Sequence, residues 1–278
     1  MIDHLQIPTP AGKFDALAAG PEDGRGVLLL HGFPESALEF SEQLAALELA
    51  ECRAVAPDQR GYSPEVRPEQ VADYRMEELV GDVLAMADQL GWQRFDVVGH
   101  DWGAAVAWSV AAAAPARIRT LTALSVPHPD TLGHAITHDA DQQQRSRYMQ
   151  VFRSPGAEHA LLADDARKLR QIYEHKVPEE HIRDYVRRLS EPGALTAALN
   201  WYRAVRFSGA TGPVPVPTLY VWSTEDAAIG SAAALGSGRH VTGEYRFETI
   251  EDVSHWMAEE APATVSRLIL EHLAAYQD

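Results

Sequence analysis

Two glycines, each two residues from an aspartate in Val97-Val98-Gly99-His100-Asp101-Trp102-Gly103-Ala104-Ala105, constrain this chain more than any other feature. The apolar run Phe95-Asp96-Val97-Val98 leads in, and a helical run of small residues over 104–114 leads out. A nucleophile framed as Gly-x-Nuc-x-Gly between a strand and a helix marks a strained elbow. Its flanks turn too tightly for a Cβ. Most such elbows carry Ser; this one carries Asp101. A carboxylate attacks as an anion and needs no base to deprotonate it. It displaces a leaving group from an sp3 carbon and becomes an ester. Water must then cleave that ester, so the chain must also supply a base, oxyanion donors and an acid for the leaving group. Taken alone, Gly-x-Asp-x-Gly also fits an ordinary turn, and the surrounding sequence has to decide.

The surroundings read as a parallel sheet. Residues 6–19 give two short strands broken at Pro8-Thr9-Pro10-Ala11-Gly12, a hairpin signal. The continuous apolar run Gly26-Val27-Leu28-Leu29-Leu30 is that of a strand buried on both faces. A helix over 37–49, a strand over 53–56, a helix over 76–90 closed by Gly91, the elbow strand and helix, and a strand over 118–124 follow. Such alternation predicts a doubly wound α/β core. It stops over 126–209, where the text is helical, polar and rich in Arg, His and Tyr. Alternation resumes with strands over 217–222 and 245–250 and a last helix over 263–276. The expected organisation is a core of 1–126 and 213–278 around an inserted helical lid of 127–212, opened by Pro127-His128-Pro129 and closed by the Gly- and Pro-rich 209–217. A chain of 278 residues is long enough for both.

A base is expected on a loop at the carboxyl end of a late strand, where ligands gather in open α/β sheets. His255, in Asp252-Val253-Ser254-His255-Trp256, stands there. It needs an acid to fix its tautomer and stabilise the imidazolium. Asp226, at the end of the preceding strand, is the choice, with Glu225 competing. The order nucleophile, acid, His is that of α/β-hydrolases with Asp in place of Ser. The amides of Trp102 and Phe33 are the expected oxyanion donors. Pro34 stiffens the Phe33 loop, and His31 props it by hydrogen bonds. Glu35 reads either as a group beside the hydrolytic water or as an acid favoured by a helix N-terminus.

His31-Gly32-Phe33-Pro34, Gly99-His100-Asp101-Trp102-Gly103 and Asp252 to Trp256 together resemble the α/β-hydrolase-fold epoxide hydrolases. The resemblance spans nearly the whole chain. It implies a mostly parallel sheet with helices on both faces, and two lid tyrosines that hold the epoxide oxygen and protonate the leaving alkoxide. The family's Asn-Trp-Tyr-Arg stands here as Asn200-Trp201-Tyr202-Arg203, which points to Tyr202, with Trp201 beside it at the pocket. Its Tyr-x-x-x-Phe-x-x-Pro-Gly pattern is matched by Tyr148 to Gly156, which points to Tyr148. A phenol with pKa of about 10 is a reasonable acid for an alkoxide. Tyr173 and Tyr185 read as surface or packing residues. One departure is Ser254, where many members carry Gly before the His.

The resemblance implies conversion of an epoxide to a vicinal diol through an Asp101-linked ester, with water as co-substrate and neither cofactor nor metal. A haloalkane or haloacid dehalogenase is the runner-up. Haloalkane dehalogenases usually carry Asn where Phe33 stands, and fluoroacetate dehalogenases Arg where Trp102 stands. A noncatalytic relative that binds a small ligand is a third reading. A net charge of -16 argues against nucleic acid or an anionic membrane surface as partner. The single cysteine, Cys52, can form no intramolecular disulfide and reads as a buried structural thiol. His134 and His138 lack a third ligand nearby and read as a solvated lid face. With no signal-peptide pattern and no apolar stretch of about 18 residues, the expectation is a soluble cytoplasmic protein. The sequence leaves a homodimer open.

Overall fold

Eight strands form one sheet in the computed structural model, which describes residues 1–173, 175–204 and 210–277. Gly209, where the Gly- and Pro-rich stretch was expected to begin, lies outside the described residues. The strands are β1 (Asp3–Thr9), β2 (Gly12–Ala19), β3 (Arg25–Leu30), β4 (Cys52–Pro57), β5 (Phe95–His100), β6 (Ile118–Leu124), β7 (Thr218–Glu225) and β8 (Tyr245–Ser254). Their order across the sheet is β1-β2-β4-β3-β5-β6-β7-β8. β1 pairs antiparallel with β2, and β2 with β4; every later pairing is parallel.

Burial on both faces explains the unbroken apolar runs of β3 and β5. Alternate residues serve opposite faces. Leu28, Leu30 and Val97 pack with Leu79, Val83 and Met86 of α2 (Met76–Gln89), after α1 (Ser41–Leu49). Val27, Leu29 and Val98 pack on the other side with Leu44 of α1 and Leu268 near the C-terminus. The helix after the elbow, α3 (Trp102–Ala113), is buried all round from Trp102 to Ala111. Its run of alanines lets it lie against the sheet while other helices cover it.

Between β6 and β7 run α4 (Pro129–His138), α5 (Ala140–Arg145), α6 (Tyr148–Arg153), α7 (Ala157–Ile172), α8 (Glu179–Leu189) and α9 (Ala194–Ala204). α7 is kinked, with non-helical backbone over 163–166. Specific bonds tie this helical segment to the loops at the carboxyl ends of β3 and β4. The Tyr173 hydroxyl donates to the Pro34 carbonyl at 2.8 Å, the Trp201 indole donates to the Arg60 carbonyl at 2.8 Å, and Arg188 pairs with Asp58 at 2.8 Å. Tyr173 and Tyr185 are therefore buried packing residues and not surface ones. His134 and His138 are exposed and stacked on each other. Cys52 is buried, and burial raises its thiol above the ordinary range. No helix among the described residues is long and apolar enough to cross a membrane.

Two elements differ from the sequence reading. The first turn of the expected 37–49 helix is a 3-10 helix, Ala37–Phe40, before α1 begins at Ser41. β8 continues past Ile250 to Ser254. The polar Glu251-Asp252 read as a loop, but β8 is an edge strand that tolerates outward polar side chains. A register shift opposite Ser223 and Glu225, with Asp252 at φ 58, carries the strand through.

Candidate active site

The elbow is built by close backbone approach. A Cβ on Gly99 would lie 2.2 Å from the Gly103 carbonyl oxygen, and one on Gly103 would lie 1.8 Å from that of Leu30. Only glycines let α3 start this near β3 and β5. Asp101, between them, has φ 50 and ψ -119, a conformation that side chains other than Gly rarely adopt. Strain of this kind clusters where a side chain must be aimed. Here it turns the carboxylate out at the carboxyl end of the sheet.

Asp101 Oδ1 accepts the Phe33 N–H at 2.9 Å, and Oδ2 lies 3.5 Å from His255 Nε2. Trp102 opens α3, so its amide has no carbonyl within the helix to bond. Burial pushes the Asp101 carboxyl up, but His255, His100 and the Phe33 amide outweigh it and hold the group below its ordinary range. The residue is an anion at neutral pH, almost wholly out of water.

On the far side of the imidazole, His255 Nδ1 is 3.2 Å from each Asp226 oxygen. Asp226 Oδ1 also accepts the amides of Ala228 at 2.8 Å and Ile229 at 2.9 Å, and Oδ2 accepts the Ser125 hydroxyl at 2.6 Å. That Asp226 rather than Glu225 supports the His follows from the strand end: Asp226 turns inward, whereas Glu225 is exposed. Burial acts against charging His255, yet Asp226 and Asp101 carry it up to about 10. It rests as an imidazolium between two carboxylates. Ser254 fits its position because the Glu260 carboxylate accepts both its amide, at 2.8 Å, and its hydroxyl, at 2.5 Å.

Facing Asp101 across a cavity of about 250 Å³ are Tyr148, at the start of α6, and Tyr202, from α9. Their ring centroids are 6.2 Å apart. Phe33 and Trp102 meet the Tyr202 ring edge-on at 5.3 and 4.9 Å. Burial and the nearby Asp101 charge raise both phenols above their ordinary range, with Tyr148 adding to the effect on Tyr202. Both therefore stay protonated and can donate. His255, Phe152 and Trp256 complete much of the wall.

Four residues expected near the pocket lie elsewhere. Burial lowers the His31 pKa, so the ring is neutral; Nδ1 bonds the Gly32 carbonyl at 2.8 Å and Nε2 accepts the Gln59 amide at 3.1 Å. That props the Phe33 loop. Pro34 lends its carbonyl to Tyr173 and does not line the cavity. Trp201 is a correction to the sequence reading: it is not a cavity residue. It follows Asn200 on a helix that turns about 100° per residue, so it points away from Tyr202's direction and packs on Trp102 and Tyr62. Glu35 is not at the cavity either. It is fully buried in a cluster with Glu39, His100 and Glu259.

That cluster, and Ser125, escaped sequence reasoning. His100 Nε2 donates to the His255 carbonyl at 2.9 Å, while Nδ1 lies 3.2 Å from Glu35 Oε2 and 2.9 Å from Glu39 Oε1. Burial opposes its charge, but Glu39 and Glu35 raise it well above the ordinary range. Glu259 feels the nearby Glu35 charge and accepts from His181 at 2.5 Å and Tyr185 at 3.0 Å. Burial first, then neighbouring carboxyls, push Glu35 and Glu259 each up to about 7.

These raised values have a defined consequence for stability. Between their ordinary 4.5 and about 7 the folded chain holds protons that the unfolded chain releases. Their contribution is complete below the lower value and fades as pH rises through the upper one. His181, also raised, acts in the same direction. Glu259→Gln is expected to flatten the decline of Tm between pH 5.5 and 8 relative to wild type; parallel Tm–pH curves would contradict the assignment.

Comparison with known proteins agrees with this architecture. Residues 26–262 match the family model described as the alpha/beta hydrolase fold. The chain is 36% identical to the AB hydrolase superfamily protein YfhM of Bacillus subtilis, covering 92% of each. It is 32% identical to epoxide hydrolase 3 of Xenopus tropicalis, over 97% of this chain and 77% of that one. It also superimposes, at TM-score 0.87 and 28% identity, on a solved epoxide hydrolase of the α/β-hydrolase superfamily from hot-environment metagenomes, covering 98% of this chain and 99% of that chain.

Proposed function

This chain belongs to the α/β-hydrolase-fold epoxide hydrolase family, and we propose that it hydrolyses an uncharged epoxide to a vicinal diol. One observation carries the reading: a buried carboxylate faces two neutral phenols across an apolar cavity, with an imidazolium at its back. Such a set can open a strained C–O bond without expelling a separate leaving group.

In the first step Asp101 attacks a ring carbon from behind its C–O bond. The carbon–oxygen bond to the enzyme forms as the ring bond breaks. Tyr148 and Tyr202 hold the epoxide oxygen, and one of them gives the new alkoxide its proton. The resting His255 carries the proton that restores the phenol. Esterification also removes the Asp101 charge, one of the two that hold His255 near 10. The base is thus released by the step that precedes its use.

In the second step His255 takes a proton from water as that water adds to the ester carbonyl. The oxyanion is met by the Phe33 and Trp102 amides. Collapse expels the diol oxygen, which receives the proton from His255, and the Asp101 carboxylic acid left behind passes its own proton to the imidazole. Asp226, fixed by Ser125 and two amides, holds the ring and its charge. Epoxide and water give diol, and the enzyme returns to its starting charge state. The helices from α4 to α9 act as the lid.

The test is a single turnover in oxygen-18 water with enzyme in excess of an epoxide such as styrene oxide. The diol is expected unlabelled, having taken its oxygen from Asp101, and the label is expected in the peptide carrying Asp101. Label in the first-turnover diol would mean direct attack by water and sink the ester route.

A further inference from the structure

Two cavities meet at the same three residues. Asp101, Tyr148 and Tyr202 line both the chamber of about 250 Å³ and a second space of about 20 Å³. The two are very unequal. The second holds about what one water molecule or a methyl group needs. Its far walls are Ala105, Val126, Leu132, Met149 and Ile229. Leu132, Met149 and Ile229 are buried, at 1%, 8% and 2% exposure, so none of them can swing into solvent to make room. Ala105 and Val126 belong to the helix and strand-end packed under the site, where interiors are close-packed and yield little.

The larger chamber differs in size and lining. Phe33, Phe152, Ile172 and Trp256 give it aromatic and aliphatic walls, and Ala227, which is exposed, sets its mouth on that side. Among the described residues, none lining either space is charged outside Asp101 and His255.

We propose that the enzyme selects epoxides bearing one sizeable apolar substituent, with nothing larger than methyl on the other ring carbon. This rests on the epoxide hydrolase reading above. With the oxygen held by the two phenols and one carbon presented to Asp101, the two ring carbons lie toward opposite spaces. A phenyl or alkyl arm fits the open chamber. The other carbon must carry hydrogen or a methyl group, because a second arm would have to displace Leu132, Met149 or Ile229. A group that overfills a packed wall loses binding steeply, and even one methylene is worth about 10- to 200-fold in selectivity.

The test compares kcat/KM for styrene oxide, trans-β-methylstyrene oxide and trans-stilbene oxide. Stilbene oxide is expected at least about 100-fold below styrene oxide, with the methyl compound between. Leu132→Ala and, separately, Met149→Ala are expected to raise the ratio of stilbene oxide to styrene oxide about tenfold by enlarging the small space. Either variant, checked for folding by circular dichroism, suffices for that comparison. Wild-type turnover of stilbene oxide within about threefold of styrene oxide, or an unchanged ratio in a folded variant, overturns the proposal while leaving the activity intact. Failure to hydrolyse any of the three overturns the epoxide reading itself.

Discussion

Asp101→Ala is expected to abolish turnover, by about 10⁵-fold or more, while the protein stays folded. Among the described residues no other group is placed to take over the attack: the neighbouring polar groups are two phenols held neutral and an imidazole oriented toward Asp101. The fold should survive because the elbow is fixed by backbone packing at Gly99 and Gly103 rather than by the carboxylate. The substitution strips the Phe33 amide of its acceptor, so a loss of about 1–3 kcal/mol is expected in urea unfolding. The decisive readout is chemical. Incubated with styrene oxide, the variant should yield neither diol nor any gain in mass. Residual turnover above about 1% of wild type would remove Asp101 from the role of nucleophile.

His255→Gln should fail differently, and the contrast is the stronger test. Ring opening needs only Asp101 and the phenols, so one equivalent of epoxide is expected to be consumed. Ester cleavage needs a base near the carbonyl, worth about 10²- to 10⁴-fold. The ester should therefore accumulate and appear as a protein mass increased by that of the epoxide, on the peptide containing Asp101. Gln retains a polar side chain beside Asp226 and cannot accept a proton at neutral pH. Sustained turnover, or consumption with no adduct, would show that the imidazole does not serve the second step.

Much of this was legible in the chain because the signals are local. The elbow needs five consecutive residues, and the alternation of apolar runs around it predicts the parallel core. His255 and Asp226 were readable as residues at the ends of successive late strands, where the parallel pairing of β7 with β8 brings them within 3.2 Å. What escaped depends on distant contacts. His100 touches the carbonyl of a residue 155 positions away, and nothing in its own neighbourhood marks that partner. Ser125 sits at φ 65 just beyond β6, and its contact with Asp226 spans 101 positions. The misplacement of Trp201 came from treating neighbours on a helix as sharing a face. Of the two readings left open for Tyr173 and Tyr185, surface or packing, packing holds: their rings are apolar enough to bury, and each hydroxyl finds a partner on the core.

The elbow's packing also bears on how proteins of this shape diversify. The bond-making oxygen is anchored by one strand's carbonyl pressed against another element's glycine, a contact with no slack. Part of the chamber wall, Tyr148, Phe152, Ile172 and Tyr202, belongs to a different stretch of chain, the helices threaded between β6 and β7. The attacking oxygen and the part of the wall that faces it thus belong to separable parts of the same polypeptide. Drift in the helices can re-tailor what enters, generation after generation, while the attacking atom stays where it was.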